Sequence, residues 1–316
     1  MPVKLTSLSY LGLAVETALG TAVAPTAFIP IRKFTPQDTP TYVPDTGFRG
    51  QPVDTFGEYL GVMSSTYALD GDVYPTSFGT LLANFFGIDT VSGAAAPYTH
   101  TLTTAAVPGS LTLSDYYVAG YRQWPGQKVE KLSLKFTPQA GLTHTTNLIG
   151  WPSAVGTAPT SETFGTNPFF LGWEAALTIA GVANPKLSSF TLDLQRMKSA
   201  AVFSAQNSQK PFDIFVGPMA ADWTLEYYME DDTEYSTALA QGSQAVSVTL
   251  TQAGSGDSIT LTSSAVQWVK PTIDRAGEYV LVSMDGKAIY NATDAGVAQA
   301  KIVNAIATAY TTTAAS

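Results

Sequence analysis

Two periodicities of apolar and polar residues organise the chain. Between Thr76 and Phe86 the apolar side chains recur at helical spacing, which places five of them on one helix face: Phe78, Leu81, Leu82, Phe85 and Phe86. Pro75 precedes this segment and Gly87 follows it, as a helix start and a C-terminal cap require. The spacing predicts a short packing helix over 76–86 that lies on a sheet.

Most other apolar positions alternate with polar ones, which is the period of a half-buried β-strand. The clearest strands are predicted around residues 111–113, 132–136, 177–179, 190–194, 223–229, 246–250 and 259–261. Further strands are expected near residues 28–31, 63–70, 266–273, 279–282 and 297–306, and a second short helix at 232–241. The pattern indicates a mainly β, mostly antiparallel domain with one or two helices.

The remaining segments set the domain organisation. Residues 1–35 contain Gly and Pro at short intervals, which predicts an extended N-terminal arm. Residues 36–310 show no clear domain boundary and are predicted to form a single β domain. Structureless loops longer than ~15 residues are uncommon, so the Pro-rich and Gly-rich stretch at about 40–65 predicts a long hairpin. An insertion-like loop is expected at about 150–168, and residues 311–316 are expected to form a disordered tail.

Composition narrows the class of protein. Only 13% of the 316 residues are charged, which suits a surface buried against other subunits. The net charge of −9 and the lack of basic runs make free nucleic acid a poor partner, although an acidic surface can face DNA without binding it. The first twenty residues lack the apolar core of a signal peptide, and no apolar run is long enough to predict a membrane span.

The sequence offers little for catalysis. It has no cysteine and only two histidines, His100 and His144, which we interpret as hydrogen-bonded residues beside threonines. The phosphate-binding, dinucleotide-binding, zinc-protease and serine-hydrolase motifs are absent. We therefore predict no catalytic residue, no metal ligand and no cofactor.

One acidic cluster leaves three alternatives open: Glu226, Glu230, Asp231, Asp232 and Glu234. On one strand, Glu230 and Asp232 would lie about 7 Å apart at ~3.3 Å per residue, a separation found in inverting glycosidases. Calcium binding is the second alternative. We favour the third, the solvated end of a strand followed by the first turn of a helix, where acids suit the dipole.

Several motifs occur in a fixed order. Residues 11–31, LGLAVETALGTAVAPTAFIPI, contain the pairs Glu16-Thr17, Gly20-Thr21 and Pro25-Thr26, followed by Pro30. PTSFGTLL at 75–82, YTHTL and PGSLTL within 98–113, and KVEKLSLKF at 128–136 follow. This order resembles the siphophage major tail tube protein family, although Gly12 lies two positions before its usual place. The likeness is good over residues 8–140 and beyond them concerns layout only.

The resemblance implies an antiparallel β-sandwich or half-barrel of the phage tail tube type, with one flanking α-helix at 76–86, a long hairpin loop and an extended N-terminal arm. It also implies self-assembly into stacked hexameric rings that form the conduit for DNA ejection. The implied partners are other copies of the chain, the tape measure, tail terminator and distal tail proteins, and transiently passing DNA. The implied location is the virion tail, assembled in the host cytoplasm.

The same resemblance assigns residues to contacts. Contacts between stacked rings are expected at Tyr42, Asp45, Phe48, Arg49, Asp54 and Phe56. Contacts of the arm with an adjacent subunit are expected at Glu16, Thr17, Pro25 and Phe28. Asp193 and Glu226 are the candidates for the lumen, although alternation places Lys131 and Lys135 equally well.

A second function class remains open at this point. A carbohydrate-binding or adhesin-like β-sandwich, or another tail or baseplate component, would also be β-rich and lack catalytic motifs. Such a module needs exposed aromatic residues grouped on one face, and the sequence offers Tyr116, Tyr117, Tyr121 and Trp124.

Overall fold

The computed structural model describes residues 4–159, 161–240 and 242–311, and leaves out the side chains of Glu234, Thr237 and Lys270. The predicted tail at 311–316 thus lies outside the described residues apart from Thr311. Within them are α1 (Phe78–Phe86) and α2 (Thr233–Leu239). The strands are β1 (Tyr10–Val15), β2 (Ala27–Ile29), β3 (Lys33–Asp45), β4 (Gly57–Asp72), β5 (Gly87–Ser92), β6 (Tyr98–Thr104), β7 (Leu111–Tyr116), β8 (Tyr121–Phe136), β9 (Thr143–Gly150), β10 (Ala154–Val155), β11 (Ala175–Ile179), β12 (Val182–Asn184), β13 (Leu187–Arg196), β14 (Ala200–Val202), β15 (Asp213–Phe215), β16 (Met219–Tyr228), β17 (Ser243–Thr251), β18 (Ser258–Asp274), β19 (Leu281–Ala288) and β20 (Gln299–Asn304).

The main sheet is antiparallel and folds over on itself at the long strand β18. One layer runs β3–β4–β9–β8–β13–β16–β19 and ends on residues 266–274 of β18. Residues 258–263 of β18 pair with β17, and residues 258–262 pair with β20 on the other side. Residues 266 and 267 pair with both β17 and β19. The second layer continues from β20 through β6 to β5. Trp223 of β16 donates a hydrogen bond to Ser263 Oγ at 2.9 Å, which joins the layers through the core. The predicted antiparallel β-sandwich is confirmed.

A smaller sheet branches from the first half of β8. Residues 121–127 of β8 pair with β7, and β7 pairs with β1, which in turn pairs with β2. Part of the N-terminal segment therefore completes a sheet of its own chain. Among the described residues of 151–168, the two-residue β10 pairs with β8.

Helix α1 lies in the core against β8, β5 and β6, and all nine of its residues are buried. It ends at Gly87, whose φ of 99° is the left-handed conformation that glycine adopts without strain. Arg196 of β13 donates to the carbonyls of Phe85 and Phe86 at 2.8–3.1 Å, which satisfies the end of the helix. Burial lowers the pKa of the Arg196 guanidinium to about 10, so it stays charged at neutral pH and complements the helix dipole.

The structure shifts several predicted boundaries. The apolar positions at 259–261 and 266–273 belong to a single strand, β18, and β19 begins at Leu281 rather than at residue 279. Strand β16 ends at Tyr228, so Glu230 and Asp232 do not share a strand face. Asp231 instead accepts a hydrogen bond from the Thr233 amide at the start of α2. This arrangement fits the third alternative for the acidic cluster, a strand end followed by a helix start.

A buried histidine holds the C-terminal segment against β5 and β6. His100 Nδ1 lies 2.9 Å from Asp89 Oδ2, and His100 Nε2 lies 2.8 Å from the carbonyl of Ile306. Asp89 Oδ2 also accepts the Tyr310 amide, and the Tyr310 ring lies 4.5 Å from the imidazole, centre to centre, at an angle of 40°. Because both ring nitrogens face acceptors, the protonated imidazole is the form that satisfies this site.

We expect the free energy of unfolding to depend on pH through His100. Burial alone lowers its pKa, but the hydrogen bonds to Asp89 and Ile306 and the charge of Asp89 raise it above its usual value. Because the pKa of His100 is raised on folding, its protonation stabilises the folded state. This stabilisation is complete below ~6.5, the unfolded-state pKa, and is lost as the pH rises through the folded-state pKa. Denaturant unfolding at pH values from about 6 to about 9 measures the loss.

The His100→Gln variant is the control, and the loss of stability through His100 should be absent from it. His144 contributes with the opposite sign, because burial lowers its folded-state pKa to about 4 while the unfolded chain still binds a proton below ~6.5. This contribution is present in both proteins and cancels in the difference between them. Equal pH dependence in the two proteins would contradict the assignment.

Candidate assembly surfaces

Strands β3 and β4 form a ribbon that projects beyond the sandwich. They pair from Lys33 opposite Asp70 to Asp45 opposite Gly57. The next strand, β9, pairs with β4 only as far as Ser65, so the outer part of the hairpin continues without it. The stretch predicted as a long hairpin is therefore a two-stranded ribbon that ends in a tip at 46–56.

The tip has internal order and an apolar surface. Arg49 forms an ion pair with Asp45 and lies 4.7 Å from the centre of the Phe56 ring, which is half-buried beneath it. Tyr42, Phe48 and Asp54 are exposed. Sequence reasoning missed four further exposed apolar side chains of the ribbon: Val43, Val53, Tyr59 and Leu60.

Both edges of the ribbon are poor templates for strand addition. In the β3 register, Pro36, Pro40 and Pro44 stand opposite Tyr67, Met63 and Glu58. Proline has no backbone N–H, and in a paired strand it occupies positions whose N–H would point to the free edge. The outer edge of β3 therefore lacks three hydrogen-bond donors. On the other edge, Gln209 bonds to the backbone of Leu60 and Met63. Contacts of the ribbon are therefore favoured through its exposed side chains.

The N-terminal motif folds around a buried carboxylate. Glu16 Oε1 accepts the Gly126 amide at 2.8 Å and the Thr112 hydroxyl at 2.7 Å. Its Oε2 accepts the Gly20 amide at 2.8 Å and the Ser110 hydroxyl at 2.6 Å. Four donors from three segments thus surround a side chain that is 3% exposed. Glu16 fixes the path of the N-terminal segment within its own chain.

The other predicted arm residues differ in exposure. Pro25 packs on Gly12, where an added Cβ would meet the proline ring at 2.5 Å. Phe28 lies edge-on to Tyr10 with ring centres 5.8 Å apart. Thr17 is exposed. Pro25 and Phe28 thus contact their own chain, and a contact of the arm with a neighbouring subunit stays a prediction.

Asp193 and Glu226 share one solvent-facing surface. Asp193 stands opposite Asp222 on β16 and Ser133 on β8, and Glu226 accepts a hydrogen bond from Ser189 at 2.7 Å. The same face of β8, β13, β16 and β19 carries four acids and three lysines: Lys131, Lys135, Asp193, Asp222, Glu226, Asp285 and Lys287. The outer face of the other layer is rich in hydroxyls, with Ser247 against Thr262 and Thr249 against Thr260.

The aromatic residues proposed for a carbohydrate platform do not form one. Tyr121 and Trp124 are buried, and Tyr116 stacks on Tyr10 with ring centres 4.6 Å apart. Only Tyr117 is exposed. The structure therefore removes the feature on which the binding-module alternative depended.

Two further features are absent from the described residues. No group of three His, Asp or Glu side chains among them is arranged to hold a metal ion. None of their helices has the length and apolarity needed to cross a membrane.

Comparison with known proteins identifies the family. No curated protein matches the chain. The family model described as phage tail tube protein matches residues 6–302, which is nearly the whole chain and includes the ribbon, α1 and both layers of the sandwich. The chain therefore belongs to the phage tail tube protein family.

Proposed function

We propose that this tail tube protein assembles into stacked hexameric rings that form the tail tube of a siphophage, the conduit for DNA ejection. The observation that carries the proposal is an ordered, apolar ribbon projecting from a chain of this family. Its expected partners are further copies of the chain and the tape measure, tail terminator and distal tail proteins. The proposal involves no catalysis.

The proposal assigns the lumen to the face that carries Asp193 and Glu226. Asp193 stands directly opposite Asp222 and Glu226 follows on the same strand, so the middle of this face is acidic and phosphate binding is disfavoured there. The low charged fraction of the chain supports burial of other surfaces between subunits.

Negative-stain microscopy of the purified chain tests the function. Tubes of constant diameter with a stacked-ring repeat and sixfold end views are the expected result. A monomer that stays dispersed at high concentration, under conditions in which it is folded, would contradict the proposal.

Removing residues 45–60 is expected to block tube growth and to leave a folded subunit. No residue of this segment belongs to the buried core, and the rest of β4 keeps its pairing with β3 and with β9. Microscopy counts the tubes, and near-UV circular dichroism follows the fold. Normal tubes from this deletion would exclude a stacking role for the ribbon.

A further inference from the structure

We propose that the ribbon of one copy docks into an apolar concavity at the opposite end of the strands of the next copy. We call this receiving surface the base patch and define it by Trp173, Val182, Pro185, Tyr228 and Tyr279. The inference rests on the proposed function and adds to it the surface that the ribbon meets.

Strand registers place the ribbon and the base patch at opposite ends of the layer. Strand β4 runs from the ribbon tip at Gly57 to its root at Asp72, and Asp72 stands opposite Thr143. Lys135 of β8 stands opposite Thr143. The pairing continues from β8 to β13 and from β13 to β16, whose last residue, Tyr228, stands opposite Leu281 of β19. The root end of the strands therefore carries Tyr228, and the turn before Leu281 adds Tyr279.

The part of the base patch formed by Trp173, Val182 and Pro185 is concave, and the Tyr228 amide donates to the carbonyl of Lys186 beside it. Two adjacent cavities of about 340 and 390 Å³ share Ala183, Asn184 and Pro185 in their walls. Val182 lines the first cavity and Trp173 the second, and these side chains are 70% and 64% exposed. Tyr279, 67% exposed, lies edge-on to Tyr228 at 5.8 Å. Exposed apolar residues gathered around a concavity indicate an interaction site.

The areas of the two surfaces match. A fully buried aromatic residue covers ~150–250 Å², so the exposed aromatic and aliphatic side chains of the ribbon offer about 700 Å². With Val280, which is also exposed, the base patch offers a similar area of about 600 Å². A stable interface needs ~800 Å² per partner, and the contact is repeated around a ring, so each contact can be slightly smaller.

The geometry favours a second copy as the occupant. The ribbon extends eight residues past the last pairing of β4 with β9, about 26 Å at ~3.3 Å per residue, and it points away from its own base patch. Two different surfaces at opposite ends make a head-to-tail contact, which gives an open polar polymer when its rotation does not close. Between the stacked rings of the proposed function, such a contact produces a polar tube.

Two single substitutions and a matched control test the contact. Phe48→Asp changes the ribbon tip and Val182→Asp changes the base patch, and both side chains are exposed in the subunit. Val269→Asp makes the same change at an exposed position in the middle of β18. Circular dichroism should show that all three variants are folded, and microscopy and sedimentation measure polymerisation.

We expect Phe48→Asp and Val182→Asp each to reduce the polymerised fraction by about tenfold or more, because an unpaired carboxylate is buried at every contact. Val269→Asp should polymerise as the wild type does. Mixing the two defective variants should restore a sedimenting complex, since the ribbon of Val182→Asp meets the intact base patch of Phe48→Asp, but continuous tubes should not form.

The possible failures are distinct. Wild-type length and number of tubes from Val182→Asp would overturn the base patch and leave the proposed function intact. Absence of tubes from the wild-type chain would remove the proposed function and the inference together. A mixture that fails to associate would overturn the head-to-tail pairing of these two surfaces.

Discussion

Replacing Leu82 with aspartate is expected to destabilise the subunit by more than ~4 kcal/mol, a large share of the ~5–15 kcal/mol that holds a typical domain together. Leu82 lies in the centre of α1 and is 0% exposed. The change removes a buried leucine and leaves a cavity, which alone costs ~2–5 kcal/mol. It also places a carboxyl group among apolar side chains, where it must be desolvated or protonated. We therefore expect the variant to fail at the folding of the subunit, before any effect on tube assembly.

Leu239→Asp is the matched control, because Leu239 is also helical but is 55% exposed at the end of α2. Its effect should be small, since an exposed carboxylate keeps its hydration. Denaturant unfolding and near-UV circular dichroism compare the variants with the wild type. A Leu82→Asp chain that folds and forms tubes normally would show that α1 is not a core element.

The contrast between α1 and its surroundings shows what local pattern predicts. The apolar spacing and Gly87 predict the helix to within two residues, because both signals are local. The burial of its other side is not local. Asn84 is buried because its amide group bonds to Gly109 and Val129, and Gly79 is buried because Tyr310 lies on it. Such partners, 25 or more residues away, leave no periodic signal.

The ribbon shows the opposite case, in which the sequence predicts the long hairpin but a further local signal gives the regularity of its strands. Pro36, Pro40 and Pro44 occur every fourth residue, so each can turn its missing donor to the free edge of a regular strand. Composition alone predicts a long hairpin at about 40–65 without the bounds of its strands. The spacing of the prolines indicates the 13-residue edge strand that the structure contains.

The candidate surfaces were only partly accessible from the sequence. Glu16 stood out through its motif, yet nothing in the pattern distinguished a contact with a neighbour from a buried carboxylate with donors at residues 20, 110, 112 and 126. The base patch was missed because Trp173, Val182 and Tyr279 come from three separate turns. Only the strand registers bring them to one end of the layer.

Replacing Glu16 with alanine is expected to destabilise the subunit by about 3–5 kcal/mol, because it leaves several buried donors without an acceptor. The amides of Gly20 and Gly126 are fixed donors, while the hydroxyls of Ser110 and Thr112 can rotate toward other acceptors. The Glu16 charge also raises the pKa of the buried Lys128, whose pKa is lowered overall by burial. Loss of the Glu16 carboxylate therefore also removes a negative charge that stabilises the buried Lys128 ammonium group.

Glu16→Gln separates these contributions. In either orientation of its amide group, glutamine offers an oxygen to one backbone donor and an NH₂ group to the other, so one of the two amides stays unsatisfied and the cost should fall to about 1–3 kcal/mol. Thr17→Ala, at the exposed neighbouring position, should change stability by less than ~0.5 kcal/mol. Denaturant unfolding gives the order of stability of the three variants. Hydrogen exchange at the amides of Gly20 and Gly126 shows whether their hydrogen bonds to residue 16 are lost. If alanine is tolerated as well as glutamine, the four hydrogen bonds do not stabilise the N-terminal segment, and its path must be held by the pairing of β1 with β7 alone.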